Sequence, residues 1–312
     1  MSLKEIAGAP GYVPPPAILV LVVLLALGWG FNWPVMKVVM TEMPPLHFRT
    51  LCLVVGAAGL FGIARANDLP IRVPPGAWPR LIAITAFNVA AWNVLAVYGV
   101  TLMDSGRAAI LAYTFPVWGV LLGVWVLREP VTGRRLAGVI LGFLGMLLLL
   151  GDEIQAVGRS PTGALLLIGS AISWAVSTAI MKRWPVALPA TSFTGWQMLL
   201  ALGPILGGAL LFERGSFSPL TLSPWPFWGL IYNMFISSIF CNWAWIKIAT
   251  HAPISVSSLS TLTIPVVGVI SGALLLGERP HWTDFAALGL VVAALAAVLL
   301  PRRQGAQEPV TK

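Results

Sequence analysis

The sequence predicts an all-α polytopic membrane protein whose ten transmembrane helices form two inverted five-helix repeats. Hydrophobic residues make up 58% of the 312 residues, charged residues only 10%, and the mean hydropathy is +0.88. A soluble domain usually has about a quarter of its residues charged, so a water-soluble globular fold is excluded. Apolar runs of about twenty residues recur, each long enough to cross a hydrocarbon core of about 30 Å. Continuous runs of this kind satisfy their backbone as helices and lack the alternation of a membrane β-barrel.

An internal duplication divides the chain into two halves. The stretch 114–129 returns 149 residues later as 263–278, and eight of its sixteen positions are identical. Gly and Val recur by chance in any apolar chain, but a Thr, a Pro and a Glu in fixed register do not. The identical pairs at this displacement include Thr114 with Thr263, Pro116 with Pro265, Gly119 with Gly268, Gly123 with Gly272, Glu129 with Glu278, and Asn93 with Asn242. The duplication predicts one five-helix repeat in each half.

The predicted spans follow from the apolar runs and the Pro, Gly and charged residues between them. The first run continues past any plausible cleavage site, which indicates a retained helix and not a signal peptide. The first repeat, 17–150, is predicted to span at 17–40, 45–64, 78–100, 105–127 and 132–150. The second repeat, 162–300, is predicted to span at 162–181, 190–212, 226–249, 254–277 and 282–300. Residues 1–16 and 301–312 are predicted cytoplasmic tails, and 151–161 is the connector.

The distribution of Lys and Arg predicts the orientation. With a cytoplasmic N-terminus, thirteen of them fall on the inner side and six on the outer side, among them Lys37, Arg49 and Arg107. This positive-inside bias places both termini in the cytoplasm. It also explains the net charge of +8 without nucleic-acid binding. Because each repeat has five helices, the second is inverted relative to the first, a plan of transporters that hold the substrate near the midplane.

Polar and aromatic residues within the spans are the candidate substrate-binding residues. A polar residue inside a membrane span normally faces the bundle interior or a cavity. The candidates are Trp29, Asn32 and Trp33 in the first helix, Asn88, Trp92 and Asn93 in the third, Tyr113 in the fourth, Trp174, Ser177 and Thr178 in the sixth, Asn242 and Trp243 in the eighth, and Thr263 in the ninth. Alternatively, such residues bridge neighbouring helices. A symmetric structural hydrogen bond explains the repeat of Asn93 and Asn242 equally well.

The repeated motif indicates a mechanical role. Pro116 and Pro265 each remove a helical hydrogen bond, so a kink or hinge is expected near them. The glycine pairs expected to allow close helix approach are Gly119 with Gly123 and Gly268 with Gly272.

Acidic residues are predicted in tails, loops and span ends, which leaves no carboxylate at the midplane. The interior then lacks the usual proton or sodium site and suits a neutral or zwitterionic, partly apolar solute. Asp104 and Arg107, about one helical turn apart, are expected to form a local ion pair. The sequence shows no metal-ligand spacing, nucleophile elbow or phosphate loop, so we expect neither an enzyme nor a bound cofactor.

The sequence resembles the EamA family of the drug/metabolite transporter superfamily, over about residues 17 to 300. The resemblance is carried by the stretches 28–32, 45–49, 114–116 with 128–129, and 263–265 with 277–278. The resemblance implies export of amino acids and related metabolites across a bacterial inner membrane by alternating access. It also implies a Trp-rich interior most similar to that of bacterial aromatic amino acid exporters. It also implies that Arg49 fills the family's basic position, with Gln197 at the equivalent place in the seventh helix.

Two other functions stay open. Export of drugs or cationic dyes is disfavoured because no buried carboxylate is expected to hold a cation, and a membrane scaffold or enzyme is a remote alternative. The partners implied are a small-molecule substrate and the lipid bilayer, while the oligomeric state is not predicted.

Overall fold

A computed structural model shows a bundle of ten helices and describes residues 16–128, 132–155, 161–213, 219–251 and 254–299. Glu129, most of both predicted tails and the middle of the predicted connector lie outside these ranges. In the described residues, seven helices are long and apolar enough to cross a membrane, and two shorter apolar stretches lie at Thr261–Leu276 and Trp282–Val298. The all-helical membrane fold predicted from composition is confirmed.

Five helices form the first half. They are α1 (Pro16–Val39), α2 (Pro45–Ala66), α3 (Trp78–Thr85, Ala86–Ala91 and Trp92–Thr101), α4 (Ser105–Ala112 and Phe115–Leu127) and α5 (Gly133–Gln155). Proline occupies the first turn of α2, of α3 and of the second segment of α4. Its missing N–H costs nothing there because the first helical N–H groups have no intrahelical acceptor.

Five helices form the second half. They are α6 (Thr162–Arg183), α7 (Ala190–Phe212), α8 (Pro224–Tyr232, Asn233–Phe240 and Cys241–His251), α9 (Ile254–Leu276) and α10 (Trp282–Leu299). A short 3₁₀ turn, Pro219–Thr221, precedes α8. Most helix ends lie within two residues of their predicted positions, but α5 runs on to Gln155 and so continues past residue 150.

The packing pattern of the helices is the same when the two halves of the chain are exchanged. The neighbours α2 and α7 are each other's counterparts, and so are α5 and α10. The pair α1 and α9 corresponds to the pair α6 and α4, while α8 packs on α1 as α3 packs on α6. Since five helices bring the chain to the opposite side, this pairing makes the halves inverted copies, as the fold class predicted.

The middle segments of α3 and α8 repeat an unusual backbone. Both Ala86–Ala91 and Asn233–Phe240 are π-helical, and the displacement of 149 residues places the first within the second. A π-helical turn holds one residue more than an α-helical turn and occurs often at functional sites. The duplication therefore extends from the sequence motif to a local distortion that composition does not reveal.

The backbone around the two repeated prolines differs in helical continuity. In α4 the helix is interrupted at Tyr113 and Thr114, and its second segment begins at Phe115, one residue before Pro116. In α9 the helix is continuous and Pro265 lies inside it. Both segments of α4 pack against α6, but the first also packs against α9 and α1, whereas the second packs against α5 and α10. The interruption thus marks the point where α4 leaves α9.

We name the two ends of the bundle by their structural content. The ion-pair end is where α1, α5 and α9 finish and α2, α4 and α10 begin. The terminus end is where α1 begins and α10 finishes. The charge distribution of the sequence predicts that the ion-pair end faces outward.

Candidate substrate-binding site

Four aromatic rings from α3, α4 and α6 form one cluster. The ring centroids of Trp92 and Trp174 are 5.0 Å apart, those of Phe115 and Trp174 are 5.7 Å apart, and those of Tyr113 and Phe115 are 5.9 Å apart. These separations fall within the range of favourable aromatic pairing. All four side chains are only partly buried, so some of their surface is open to a solute. The break in α4 is what brings Tyr113 and Phe115 to Trp174.

A second aromatic cluster joins α1 and α8. The Trp29 and Trp245 centroids are 6.2 Å apart, and those of Phe240 and Trp243 are 5.9 Å apart. Trp29 Nε1 donates to the backbone oxygen of Ser237, in the π-helical segment, at 3.4 Å. Because α1 and α8 are the counterparts of α6 and α3, the two clusters occupy equivalent places in the two halves.

Polar side chains of α6 bind the π-helical segment of α3. Asn88 Nδ2 donates to Ser177 Oγ at 2.9 Å, and Ser173 Oγ donates to the Phe87 oxygen at 2.7 Å. Ser177 and Thr178 also donate to the Trp174 oxygen, at 2.7 and 3.0 Å. The predicted residues Asn88 and Ser177 therefore meet, and their bond joins the two helices that carry Trp92 and Trp174.

The repeated asparagines bind their own helices. Asn93 Nδ2 donates to the Val89 oxygen at 2.7 Å, and Asn242 Nδ2 donates to the Ser238 oxygen at 3.1 Å. Val89 and Ser238 are themselves related by the displacement of 149 residues. This symmetric backbone bond is a structural role that accounts for the repeated pair. A role of either asparagine in substrate binding stays a prediction.

Two of the α1 candidates have different surroundings, since the ring of Trp33 is packed and the amide oxygen of Asn32 has no partner among the described residues. Trp33 is 5% exposed, and its Cδ1 would lie 3.6 Å from a Cβ placed at Gly268. Asn32 Oδ1 is buried and has no hydrogen-bond partner among the described residues. Asn32 corresponds by a displacement of 145 residues to Ser177, which does have a partner. This free acceptor is one of the few polar groups in the described interior able to serve a ligand.

The glycines of the repeated motif differ in their surroundings. A Cβ at Gly268 would lie 2.7 Å from Ala109 Cβ, and one at Gly272 would lie 2.8 Å from Ser105 Oγ. Both allow α4 to approach α9, as the close-approach interpretation predicts. The space beyond Gly119 is open, so the structure gives no close approach there. Gly123 is buried and its oxygen accepts from the Arg128 N–H; Thr263, in α9, is partly buried.

Glu278 closes the ion-pair end by binding the start of α4. Its Oε1 accepts from the Ser105 N–H at 2.7 Å, and its Oε2 accepts from the Ser105 hydroxyl at 3.0 Å and the Gly106 N–H at 3.2 Å. Lys37 Nζ, at the end of α1, lies 3.3 Å from Oε1 and donates to the Met103 oxygen at 2.9 Å. A carboxylate at a helix N-terminus is favoured by the helix dipole and by the unpaired N–H groups. This contact joins α1, α4 and the end of α9, and a hollow of about 410 Å³ lies over it.

Arg107 pairs with two acids of other helices. Its side chain is 2% exposed and pairs with Asp152 (Nη2 to Oδ2, 2.5 Å) and with Asp284 (Nε to Oδ1, 2.7 Å). The Nε contact is close but misaligned, which makes it an ion pair and not a hydrogen bond. Asp104 lies 3.9 Å from Lys37 Nζ, and its local ion pair with Arg107 stays a prediction. The sequence assigned Arg49 and Arg107 to the outer side of the membrane. In the structure both side chains are buried within the bundle, Arg49 on α2 and Arg107 on α4.

Inverted five-helix halves with partly exposed aromatic and polar side chains between them define a polytopic membrane transporter. The chain belongs to the EamA-like transporter family, whose model matches residues 16–151 and again residues 161–300. The resemblance seen in the repeated motifs is thereby confirmed.

Several relatives are named transporters. The chain is 24% identical over 259 residues to the uncharacterized transporter YoaV of Bacillus subtilis, covering 83% of this chain and 88% of that protein. It is 28% identical over 285 residues to a probable amino-acid metabolite efflux pump of Escherichia coli, covering 88% and 92% respectively. A solved crystal structure superposes with a TM-score of 0.65 at 18% identity, over 90% of this chain and 96% of that one. This last likeness establishes the fold alone.

Sequence reasoning missed two residues that the fold brings to these sites. Phe115 lies inside the repeated motif but was not predicted as a site residue, and Ser173 lies four residues, about one helical turn, before Ser177. The helical spacing from Ser177 is a signal that could have identified Ser173. No comparable signal marked the bond between Lys37 and Glu278, because 241 residues separate them in the chain.

Proposed function

We propose that this transporter exports neutral and aromatic amino acids, and related small metabolites, from the cytoplasm by alternating access. The observation that carries the proposal is the aromatic cluster of Trp92, Trp174, Phe115 and Tyr113. Partly buried rings offer apolar area and polarizable faces to a side chain of similar kind. The relative from Escherichia coli, named a probable amino-acid metabolite efflux pump, supports the same class of solute.

The packing of α4 supports a state closed at the ion-pair end. The first segment of α4 approaches α9 so closely that a Cβ at Gly106 would lie 3.0 Å from Val269 Cα. The second segment leaves α9 and packs on α6. With the predicted orientation, a solute reaches the aromatic cluster from the cytoplasm and is released outward when the contacts of Glu278 open.

The test is counterflow of radiolabelled phenylalanine, tryptophan and leucine in proteoliposomes. We expect protein-dependent exchange that Trp174→Ala weakens about 3- to 10-fold in apparent affinity, since an aromatic pair contributes roughly 0.5–1.5 kcal/mol. The matched control is Trp225→Ala, because Trp225 is 82% exposed and lies at a helix start suited to interfacial anchoring. Absence of exchange for every amino acid overturns the proposal, and exchange of cationic dyes alone points to drug export.

A further inference from the structure

Arg49 is a buried cation with no anionic partner among the residues that the structure describes. It lies in the first turns of α2 and is 9% exposed. Its Nη2 donates to Met36 Sδ, its guanidinium lies 4.9 Å from the centroid of the neighbouring Phe48 ring, and its Nε has no partner in the described interior. Arginine stays protonated in proteins. A thioether and a ring face are weak substitutes for the carboxylates that usually accompany a buried charge.

The same molecule shows what a structural arginine looks like. Arg107 is also buried, and it pairs with the two carboxylates of Asp152 and Asp284. Arg49 has neither, although charged residues inside a membrane normally pair with one another or mark a solute pathway. The contrast indicates that the counter-charge of Arg49 is not supplied by the described protein.

The acid that binds the start of α2, Glu213, is already engaged. The Glu213 carboxylate accepts from the Leu46 N–H at 2.7 Å, from the His47 N–H at 3.0 Å and from Tyr98 Oη at 3.0 Å. His47 Nδ1 lies 2.7 Å from the same carboxylate. Glu213 therefore caps the start of α2 and contacts residues two and three positions before Arg49, while the guanidinium itself stays uncompensated.

The position of Arg49 connects it to the candidate site. Its contact, Met36, lies on the face of α1 that also carries Trp29 and Asn32. Asn32 is four residues from Met36, which is about one helical turn, or roughly 6 Å, nearer the midplane. Along this face of α1, from the ion-pair end toward the midplane, the guanidinium of Arg49 comes first, then the free Oδ1 of Asn32 and then the ring of Trp29.

We propose that Arg49 binds the carboxylate of the transported solute, and that this requirement selects α-amino acids and other carboxylates over amides and simple amines. Asn32 Oδ1 accepts a hydrogen bond from the solute's ammonium group. The proposal rests on the transport function proposed above and adds to it the chemical group that is recognised. A bound carboxylate also compensates the buried charge.

The first test needs no variant. Counterflow of labelled phenylalanine is competed with 3-phenylpropionate, 3-phenylpropanamide and 2-phenylethylamine, which share a phenyl ring and differ in charge. We expect 3-phenylpropionate to compete at least 10-fold better than the amide and the amine. Equal competition by all three overturns the proposal for Arg49 while leaving amino-acid exchange intact. No exchange of phenylalanine at all overturns the proposed function instead.

The second test uses Arg49→Met and Arg49→Lys, with Arg65→Met as the control because Arg65 is an exposed arginine of the same helix. We expect Arg49→Met to raise the KM for phenylalanine at least 10-fold and to abolish the preference of 3-phenylpropionate over its amide. Arg49→Lys, which keeps the charge but not the two-pronged geometry, should keep part of the preference. A folded Arg49→Met protein with an unchanged preference overturns the assignment; if that variant does not fold, Arg49→Lys and the wild-type competition series decide.

Discussion

At the scale of single residues, Arg128 at the end of α4 has an unfavourable backbone conformation. Arg128 has φ 55° and ψ 34°, in the left-handed region. Its repeat counterpart Gly277 has φ 65°, so both copies of the motif end their helix in the same way. Glycine adopts this conformation freely because it has no Cβ. For other residues the left-handed region costs about 1–2 kcal/mol.

Replacing Arg128 with Gly is therefore expected to raise the free energy of unfolding by about 1 kcal/mol. Chemical denaturation in detergent, with the midpoint followed by tryptophan fluorescence, measures the change. The matched substitution Gly277→Ala places a Cβ in the same conformation at the other copy and should lower stability by a similar amount. A lower midpoint for Arg128→Gly would show that contacts of its side chain outweigh the backbone cost.

The buried polar residues show a limit of sequence reasoning at this same scale. Asn88 and Ser177 were predicted as candidate site residues, and the structure pairs them with each other. The local pattern showed that each residue faces the interior. It did not show whether an interior polar group meets a protein partner, as Asn88 does, or stays free, as Asn32 does.

At the scale of elements, Glu278 is both a cap of α4 and the contact that holds α4 to α1. Its carboxylate binds two backbone N–H groups of α4 and lies beside Lys37. Hydrogen bonds of this charge-assisted kind are about twice as strong as neutral ones. In the export mechanism proposed above, α1, α4 and the end of α9 separate when this end opens. We therefore expect the Glu278 carboxylate to control how often the end opens.

We expect Glu278→Gln to increase opening of the ion-pair end about 10-fold, since hydrogen bonds to charged groups contribute about 1.5–3 kcal/mol. Opening is measured as the labelling rate of Val269→Cys, a position 3% exposed beside Gly106, with a membrane-impermeant thiol reagent. Glu42→Gln is the control, because Glu42 is an exposed acid of the same end that binds the Ser223 N–H. An unchanged labelling rate in Glu278→Gln would show that the carboxylate does not hold the ion-pair end closed.

The unequal prolines are the other finding at this scale. Identical Thr-x-Pro sequences predict identical hinges, yet α4 is interrupted at Tyr113 and Thr114 while α9 is helical through Pro265. A transporter of this plan is open at no more than one end at a time, so a single conformation of its inverted repeats is asymmetric. The two copies of the motif therefore need not share one backbone conformation.

At the scale of the whole molecule, Arg107 joins three helices of both halves. It lies in α4 and pairs with Asp152 at the end of α5 and with Asp284 at the start of α10. Asp284 also accepts from the His281 N–H at 2.6 Å, at the start of α10. The two carboxylates are satisfied in part by the same guanidinium, so its removal leaves buried negative charge behind.

Arg107→Met is therefore expected to lower the free energy of unfolding by about 3–5 kcal/mol, the usual result of removing one partner of a buried ion pair. Asp152→Asn should cost much less, because the Asp152 side chain is 36% exposed and that of Asp284 is 5% exposed. Thermal unfolding in detergent ranks the two variants. Equal losses, or a smaller loss for Arg107→Met, would contradict a stabilising role for the buried pair.

The sequence by itself determined the class, the number of helices and the inverted arrangement. The lengths of the apolar runs were sufficient to predict the spans, because the thickness of the hydrocarbon core sets the length of a helix that crosses it. The displacement of 149 residues identified the repeat, and five helices per half require inversion. The orientation predicted from Lys and Arg stays a prediction of the sequence.

Only the tertiary structure decided which side chains meet. Lys37 and Glu278, Arg107 and Asp284, and Tyr98 and Glu213 lie far apart in the chain, and hydropathy carries no record of such distances. The tertiary structure placed Trp174 against Phe115, paired Arg107 with Asp152 and Asp284, and left Arg49 Nε without a partner among the described residues. The physical reason is that apolar periodicity specifies the environment of a side chain, whereas its partner depends on how all ten helices pack.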